Sequence, residues 1–247
     1  MSETASPHAR VILSATCYAD AEAALHLAVL LARTAGAGLH GILVSDETIL
    51  SAAAHPHARA VSFSGQAVTQ VTVETMHAAF RADARLFQKR LTEAAQKAVL
   101  ETSFSAIRGR MMAVLARSAE ARDIIVIGFR RSIKDGDALV LVLGDRDAGH
   151  DQLAFALQLS ALTRKRLIVF ATPRREGEVV AILARQRGNL HEYRPYLGTA
   201  NLLRELERMS PAAVIIATGQ EEVPPVGALI NAARCPVVLT GPAADGV

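Results

Sequence analysis

Two arginine pairs stand where a parallel α/β chain would present its ligand rim. Arg108 and Arg110 flank Gly109 after the alternating stretch Thr102 to Ile107. Arg130 and Arg131 follow Gly128, which ends the apolar run RDIIVIG. A guanidinium carries its donors in a planar fork and holds a phosphate or carboxylate through two parallel hydrogen bonds. A neighbouring glycine lets backbone N–H groups come close to the same anion. If both stretches are strands of one parallel sheet, both pairs lie at one rim and predict a joint anion site. The competing reading is a pair of solvated basic loops, the usual fate of charged side chains.

Other residues carry weaker signals. Asp145, Arg146 and Asp147 follow the run ALVLVLG, and Asp145 suits either an adenine or ribose contact or a helix-opening turn. His55 and His57 flank a proline, but a metal site needs three or four ligands. Cys17 and Cys235 are far apart, with no CxxC spacing, so neither a disulfide framework nor a zinc site is expected. Nothing near Cys17 favours its thiolate, and Cys235 reads as packing. Arg164, Lys165, Arg166, Arg174, Arg175, Arg185, Arg187 and Arg194 make a basic stretch with only Phe170 and Tyr193 as aromatic company. That pattern fits a solvated face better than a nucleic-acid surface. There is no GxSxG and no GxxxxGK[ST], so no nucleophile elbow and no P-loop. The expectation is a protein that is not an enzyme.

The elements that would position these residues read clearly. Of 247 residues, 51% are hydrophobic but only 4% aromatic, and tryptophan is absent. Such a core must be built of Ala, Val, Leu and Ile, the filling of helix-covered parallel sheets. The net charge of +3 is too small to imply a nucleic-acid partner. No apolar run is long enough to span a bilayer, the N-terminus MSETASPHAR lacks an apolar signal core, and a cytoplasmic location is expected.

In the first half, Val11 to Ala15 predicts a strand and Ala21 to Ala35 a helix, capped by Asp20 and ended by Gly36. Leu39 to Ser45 is the next strand. Glu47 to Ala54 is a short helix, and the rest of the stretch to about Gln70 is a long loop. From Val71 to Val99, apolar residues step by three or four, opposite Arg81, Arg85, Lys89 and Glu93, which predicts one long amphipathic helix. Thr102 to Ile107, Met111 to Ala121 and Asp123 to Gly128 complete a strand, helix and strand. The order implies a parallel sheet with right-handed crossovers.

The same order returns after Ala138. Strands are expected at Ala138 to Leu143, Leu167 to Ala171, Leu190 to Tyr196 and Ala213 to Ala217. Helices are expected at Asp151 to Leu162, Glu176 to Gln186 and Thr199 to Met209. A final helix, Gly227 to Ala233, and strand, Cys235 to Leu239, have no counterpart in the first half. Imperfect repeats of this size suggest a pseudo-dimer, with units at residues 9–134 and 137–242 and the first lacking its last helix and strand.

On the stretches VILSATCYADAEAALHLAVLLA, RDIIVIG and LINAARCPVVLTG, the chain resembles the universal stress protein family. The resemblance covers most of the chain as two tandem copies. It implies two doubly wound, Rossmann-like sheets of the adenine nucleotide alpha hydrolase type and a role in the stress response. It also implies an ATP or AMP site at the carboxyl ends of the strands. On that rim fall Thr16, Val44, Arg108, Gly109, Arg110, Gly128, Arg130, Arg131, Asp145 and Gly219. ATP-binding members carry a second glycine three positions after the first, where this chain has Arg131. Thr16 stands at the family's acidic position. Gly219 is displaced by one, and Glu221, Glu222 and two prolines follow it. Carboxylates beside a phosphate repel it.

The leading expectation is therefore a regulatory module with a degenerate nucleotide site, acting through a ligand or a protein partner. A second is an ATP or AMP sensor that uses the arginines of the first half. A third, phosphate-handling hydrolysis, is the least favoured. The resemblance implies a homodimer through the last strand, and because the first half lacks that strand, its vacant sheet edge is expected to be covered by the other half or by a second chain.

Overall fold

A computed structural model of the chain describes residues 10–55, 59–61, 68–120, 122–130, 136–144, 149–186, 190–217 and 224–241. The first half contributes β1 (Arg10–Ala15), α1 (Tyr18–Ala35), β2 (Gly38–Ser45), α2 (Glu47–Ala53), β3 (Arg59–Val61), β4 (Val68–Gln70), α3 (Val73–Ala98), β5 (Thr102–Arg108), α4 (Met111–Ser118) and β6 (Ile124–Ile127). The second contributes β7 (Ala138–Leu143), α5 (Gly149–Thr163), β8 (Arg166–Ala171), a 3-10 turn at Pro173–Arg175, α6 (Glu176–Arg185), β9 (His191–Pro195), α7 (Thr199–Met209), β10 (Ala213–Ala217), α8 (Val226–Ala233) and β11 (Val237–Thr240).

The expected mixed α/β architecture is present, but the two windings share a single nine-stranded sheet, ordered β5-β2-β1-β6-β11-β10-β7-β8-β9. Both halves place their first four strands in the order third, second, first, fourth. Every neighbouring pair is parallel except β11 with β6, where Val238 faces Val126 in antiparallel register. β11 is therefore parallel to β10 on one side and antiparallel to β6 on the other. The edge left by the missing fifth strand of the first half is covered by the fifth strand of the second. Of the two covers expected for that edge, the other half is the one present: the last strand has neighbours on both sides, and the sheet ends at β5 and β9.

Strand side chains alternate between two buried layers, as a period of two requires. Val11, Leu13, Leu139, Leu141, Ile215 and Val238 face α1, α3, α5 and α6. Ile12, Ile125, Ile127, Val140, Val142 and Leu239 face α4, α7 and α8. Gly41 lets α3 approach β2, because a Cβ there would sit 2.6 Å from Leu91 Cδ2. Phe87 and Phe104 close the same contact edge to face, with ring centroids 5.4 Å apart.

Two local expectations change. The stretch read as a long loop between α2 and α3 contains the antiparallel pair β3 and β4. Asp20 does not cap α1: the helix starts three residues earlier than expected, at Tyr18, with Cys17 in the capping position. Its first amide donates instead to Asp83 Oδ2 of α3 at 3.0 Å. That leaves the Asp20 carboxylate for another task.

Candidate functional site

Because β6 and β11 run antiparallel, the carboxyl ends of β5, β2, β1 and β6 lie at one end of the sheet. Those of β11, β10, β7, β8 and β9 lie at the other. The ten candidates therefore belong to two opposite rims. Thr16, Val44, Arg108, Gly109, Arg110, Gly128 and Arg130 are at the first. Asp145 and Gly219 belong by sequence to the second and lie outside the described residues, as does Arg131 beyond β6. His57 is outside them too. Among the described residues, no three His, Cys, Asp or Glu side chains gather as a metal site would need.

At the first rim the strand order reverses between β1 and β6, the place where open α/β sheets open a ligand crevice. Here the crevice is drawn shut. The Gly128 amide donates to the Ser14 carbonyl at 2.7 Å. A Cβ on Gly128 would lie 2.5 Å from the backbone oxygen of Asp20, so the first turn of α1 sits directly on the loop after β6. The Arg130 amide donates to Asp20 Oδ1 at 2.7 Å. Thr16 Oγ1 donates to Asp20 Oδ2 at 3.4 Å, a long contact. The Asp20 carboxylate thus occupies the Arg130 backbone donor. Cys17, half-buried beside it, has its thiol pushed up chiefly by burial. That is the opposite of what a reactive thiolate needs.

One step outward, β5 and β2 end together. The Gly109 amide donates to the Ser45 carbonyl at 3.1 Å. Gly109 adopts φ 150°, and α4 opens directly after Arg110. Arg108 Nε pairs with Glu47 Oε1 at 3.3 Å, both side chains more than half exposed. Arg110 and Arg130 are exposed. Val44, by contrast, is fully buried in the layer facing α4, so its side chain meets no ligand at this rim. Of the arginines of the expected joint site, Arg108 thus pairs with Glu47, and the Arg130 amide donates to Asp20. The sequence reading missed both carboxylates. The helix start shifted by three residues was the obstacle for Asp20, and Glu47 was read only as part of α2.

At the second rim, Arg175 is buried and was not singled out from its basic neighbours. It donates to the Gly144 carbonyl at 3.2 Å and forms a two-point pair with Glu178, at 3.3 and 3.0 Å. Other members of that basic stretch are also engaged. Lys165 Nζ donates to the Gly136 carbonyl at 2.6 Å. Arg194 meets Glu192 and Glu205 at 2.6 and 2.9 Å. These pairs consume charge that a nucleic acid would need.

Among the described residues, no helix is long and apolar enough to cross a membrane. No protein-family model and no curated protein sequence matches the chain. Its architecture does match solved structures. A universal stress protein from Archaeoglobus fulgidus DSM 4304 superposes with TM-score 0.52 at 10% identity, over 96% of this chain and 97% of that one. A putative universal stress protein from Pseudomonas aeruginosa UCBPP-PA14 gives 0.48 at 13% identity, over 96% and 94%. A functionally unknown protein from Pseudomonas aeruginosa PAO1 gives 0.49 at 12%, over the same shares. The Archaeoglobus match spans both windings, and the fold of this chain is accordingly that of a universal stress protein.

Proposed function

We propose that the chain is a cytoplasmic regulatory module of the universal-stress type. It comprises units at residues 9–134 and 137–242, the first without its own last helix and strand, and acts through a ligand or protein partner rather than by turnover. Its nucleotide site is degenerate. One observation carries this reading: Asp20 and Gly128 close the crevice at the point where the strand order reverses, with Asp20 on the Arg130 amide at 2.7 Å. A phosphate entering there would meet a carboxylate and a backbone contact instead of free donors. The test is a denatured extract of purified protein, examined for ATP and AMP, with thermal unfolding at added ATP. No nucleotide and no shift are expected. Co-purified nucleotide with a saturable ATP-dependent shift would overturn the reading.

The second reading, an ATP or AMP sensor, draws support from Arg110 and Arg130, whose guanidinium groups are exposed and have no ion pair among the described residues. It predicts that the same thermal shift appears and is lost in Arg130→Ala.

A further inference from the structure

We propose that β5, the outer strand of the first winding, pairs edge to edge and antiparallel with β5 of a second copy of this chain. The inference goes beyond the proposed function and does not depend on the nucleotide site. It starts from the two ends of the sheet, β5 and β9. At the ends of β5 the Glu101 carbonyl accepts from Leu39 and the Gly109 amide donates to Ser45, so every second residue turns its backbone groups to β2. Thr102, Phe104, Ala106 and Arg108 turn theirs away from the sheet, and among the described residues no strand meets them. In β9 the Leu190 carbonyl accepts from Leu167 and the Tyr196 amide donates to Ala171, which leaves His191, Tyr193 and Pro195 facing out. Proline has no amide to give. β9 thus offers two outward donors, beside the charged Glu192 and Arg194. β5 offers four over seven residues, with no proline and with Arg108 as its one charge. A short edge carrying charge and proline is blunted against pairing, whereas a longer uncharged one is a template for another strand.

The occupant is a second copy because β5 is complementary to itself. Antiparallel pairing about a two-fold axis at Ser105 overlaps the whole strand. It sets Phe104 against Ala106 and Thr102 against Arg108, outward-facing residue against outward-facing residue, so each couple exchanges both of its backbone hydrogen bonds. A large side chain meets a small one, and no like charges meet. Arg108, already paired with Glu47, meets a neutral threonine. Val99, 91% exposed just before the strand, adds apolar surface at each end of the seam. Because both copies use the same edge, the contact is isologous and closes at a dimer. β5 against β9 of a further copy would run on as a filament, and Pro195 with its charged neighbours opposes that. The last strand, through which the resemblance implies a dimer, is spent between β6 and β10.

The test is sedimentation velocity of the full chain, together with disulfide trapping under diamide. The unaltered protein is expected to sediment as a dimer at micromolar concentration. Ala106→Lys places a charge on an exposed edge position and should weaken the dimer about tenfold or more, with far-ultraviolet circular dichroism unchanged. Ser105→Cys should be trapped as a disulfide-linked dimer, since directly opposed residues of a non-hydrogen-bonded pair have Cα atoms about 4.5 Å apart, within reach of a disulfide. Ala106→Cys faces Phe104 rather than itself and should not be trapped, which also controls for Cys17. A monomer throughout, a dimer that Ala106→Lys leaves equally tight, or equal trapping at residues 105 and 106 would overturn the pairing. Assembly beyond two copies would overturn its closure.

Discussion

The two windings have the same strand order and close their amino-terminal ends by different chemistry. In the first, the buried carboxylate of Asp123 joins the starts of β1 and β6. It accepts from the Arg10 amide at 3.0 Å, from Arg10 Nη2 at 2.8 Å and from the Glu120 amide at 2.8 Å. That hydrogen bonding, ahead of any cost of burial, pushes the Arg10 pKa up. In the second, the corresponding join is made by backbone. The Ala212 amide donates to the Ala138 carbonyl at 2.7 Å, and Gly136 packs against the main chain of Ser210, Pro211 and Ala212. One winding thus joins its first and fourth strands through a charge, the other through backbone, with the charged contacts Lys165 to Gly136 and Arg166 to Asp137 beside that join. What they share is β11.

The largest effect should come from breaking that shared strand. Val238 is fully buried and faces Val126 across the antiparallel seam and Ile215 across the parallel one. Val238→Asp is expected to cost about 4 kcal/mol or more, since the carboxylate has no partner in the layer. The milder Val238→Ala should cost about 2 kcal/mol. In urea both should unfold in one transition that covers both halves. Two separated transitions would show that the windings are independent and that β11 does not couple them.

Next comes the contrast at the amino-terminal joins. Asp123→Ala should destabilise by about 2–3 kcal/mol, because Arg10 and the Glu120 amide lose their acceptor. Lys165→Ala in the other winding should cost about 1 kcal/mol, the value of one hydrogen bond to a carbonyl. Equal losses by chemical denaturation would remove the distinction between charged and backbone closure.

Changes of similar size are expected at two glycines. Gly128→Ala would push a Cβ onto the Asp20 backbone, and Gly136→Ala onto that of residues 210–212, where the approach is closer. Overpacking of this kind costs about 1–3 kcal/mol, with Gly136 the more sensitive. Gly128→Ala has a second readout. By prising α1 from the loop after β6 it should expose the Arg130 amide, seen as faster hydrogen exchange at that residue. No change there would mean that the crevice is not held shut by this contact.

How far these features could be read in advance follows from where their signals lie. Ala138 to Leu143, Thr199 to Met209 and Ala213 to Ala217 form as their apolar spacing predicts. Buried strands and amphipathic helices advertise themselves by period. The continuity of the sheet was one of two readings the sequence left open, because pairing of β11 with β6 depends on an edge left vacant over 100 residues earlier. The roles of Asp20 and Glu47 did not show. A carboxylate near a strand end looks the same in sequence whether it caps a helix, faces water or fills an anion's place. Only the three-residue shift of the α1 start decides among these for Asp20. The hairpin β3 and β4 is three residues a strand, too short for alternation to be seen.

The smallest expected effect is a pH dependence that again separates the halves. His40 on β2 is half-buried, with Nδ1 2.7 Å from Ser103 Oγ, and its pKa is lowered first by burial and then by Arg10, against a weaker pull from Asp123. His191 on β9 is lowered by burial alone. Unfolded histidine titrates near 6.5. Below that value and down to the depressed folded one, the unfolded chain holds more protons than the folded chain. Stability therefore falls as pH drops through this window and is level above it. His40→Asn, which can keep a hydrogen bond to Ser103, should flatten the slope below about pH 6.5. Adding Asp123→Ala to an unaltered His40 should steepen it, because the carboxylate that favours the imidazolium is gone while Arg10 remains. His191→Asn should leave that change untouched, since neither Arg10 nor Asp123 acts on His191. If instead the Asp123 variant steepens the slope only while His191 is intact, the coupling runs through the shared sheet rather than through charges of the first winding.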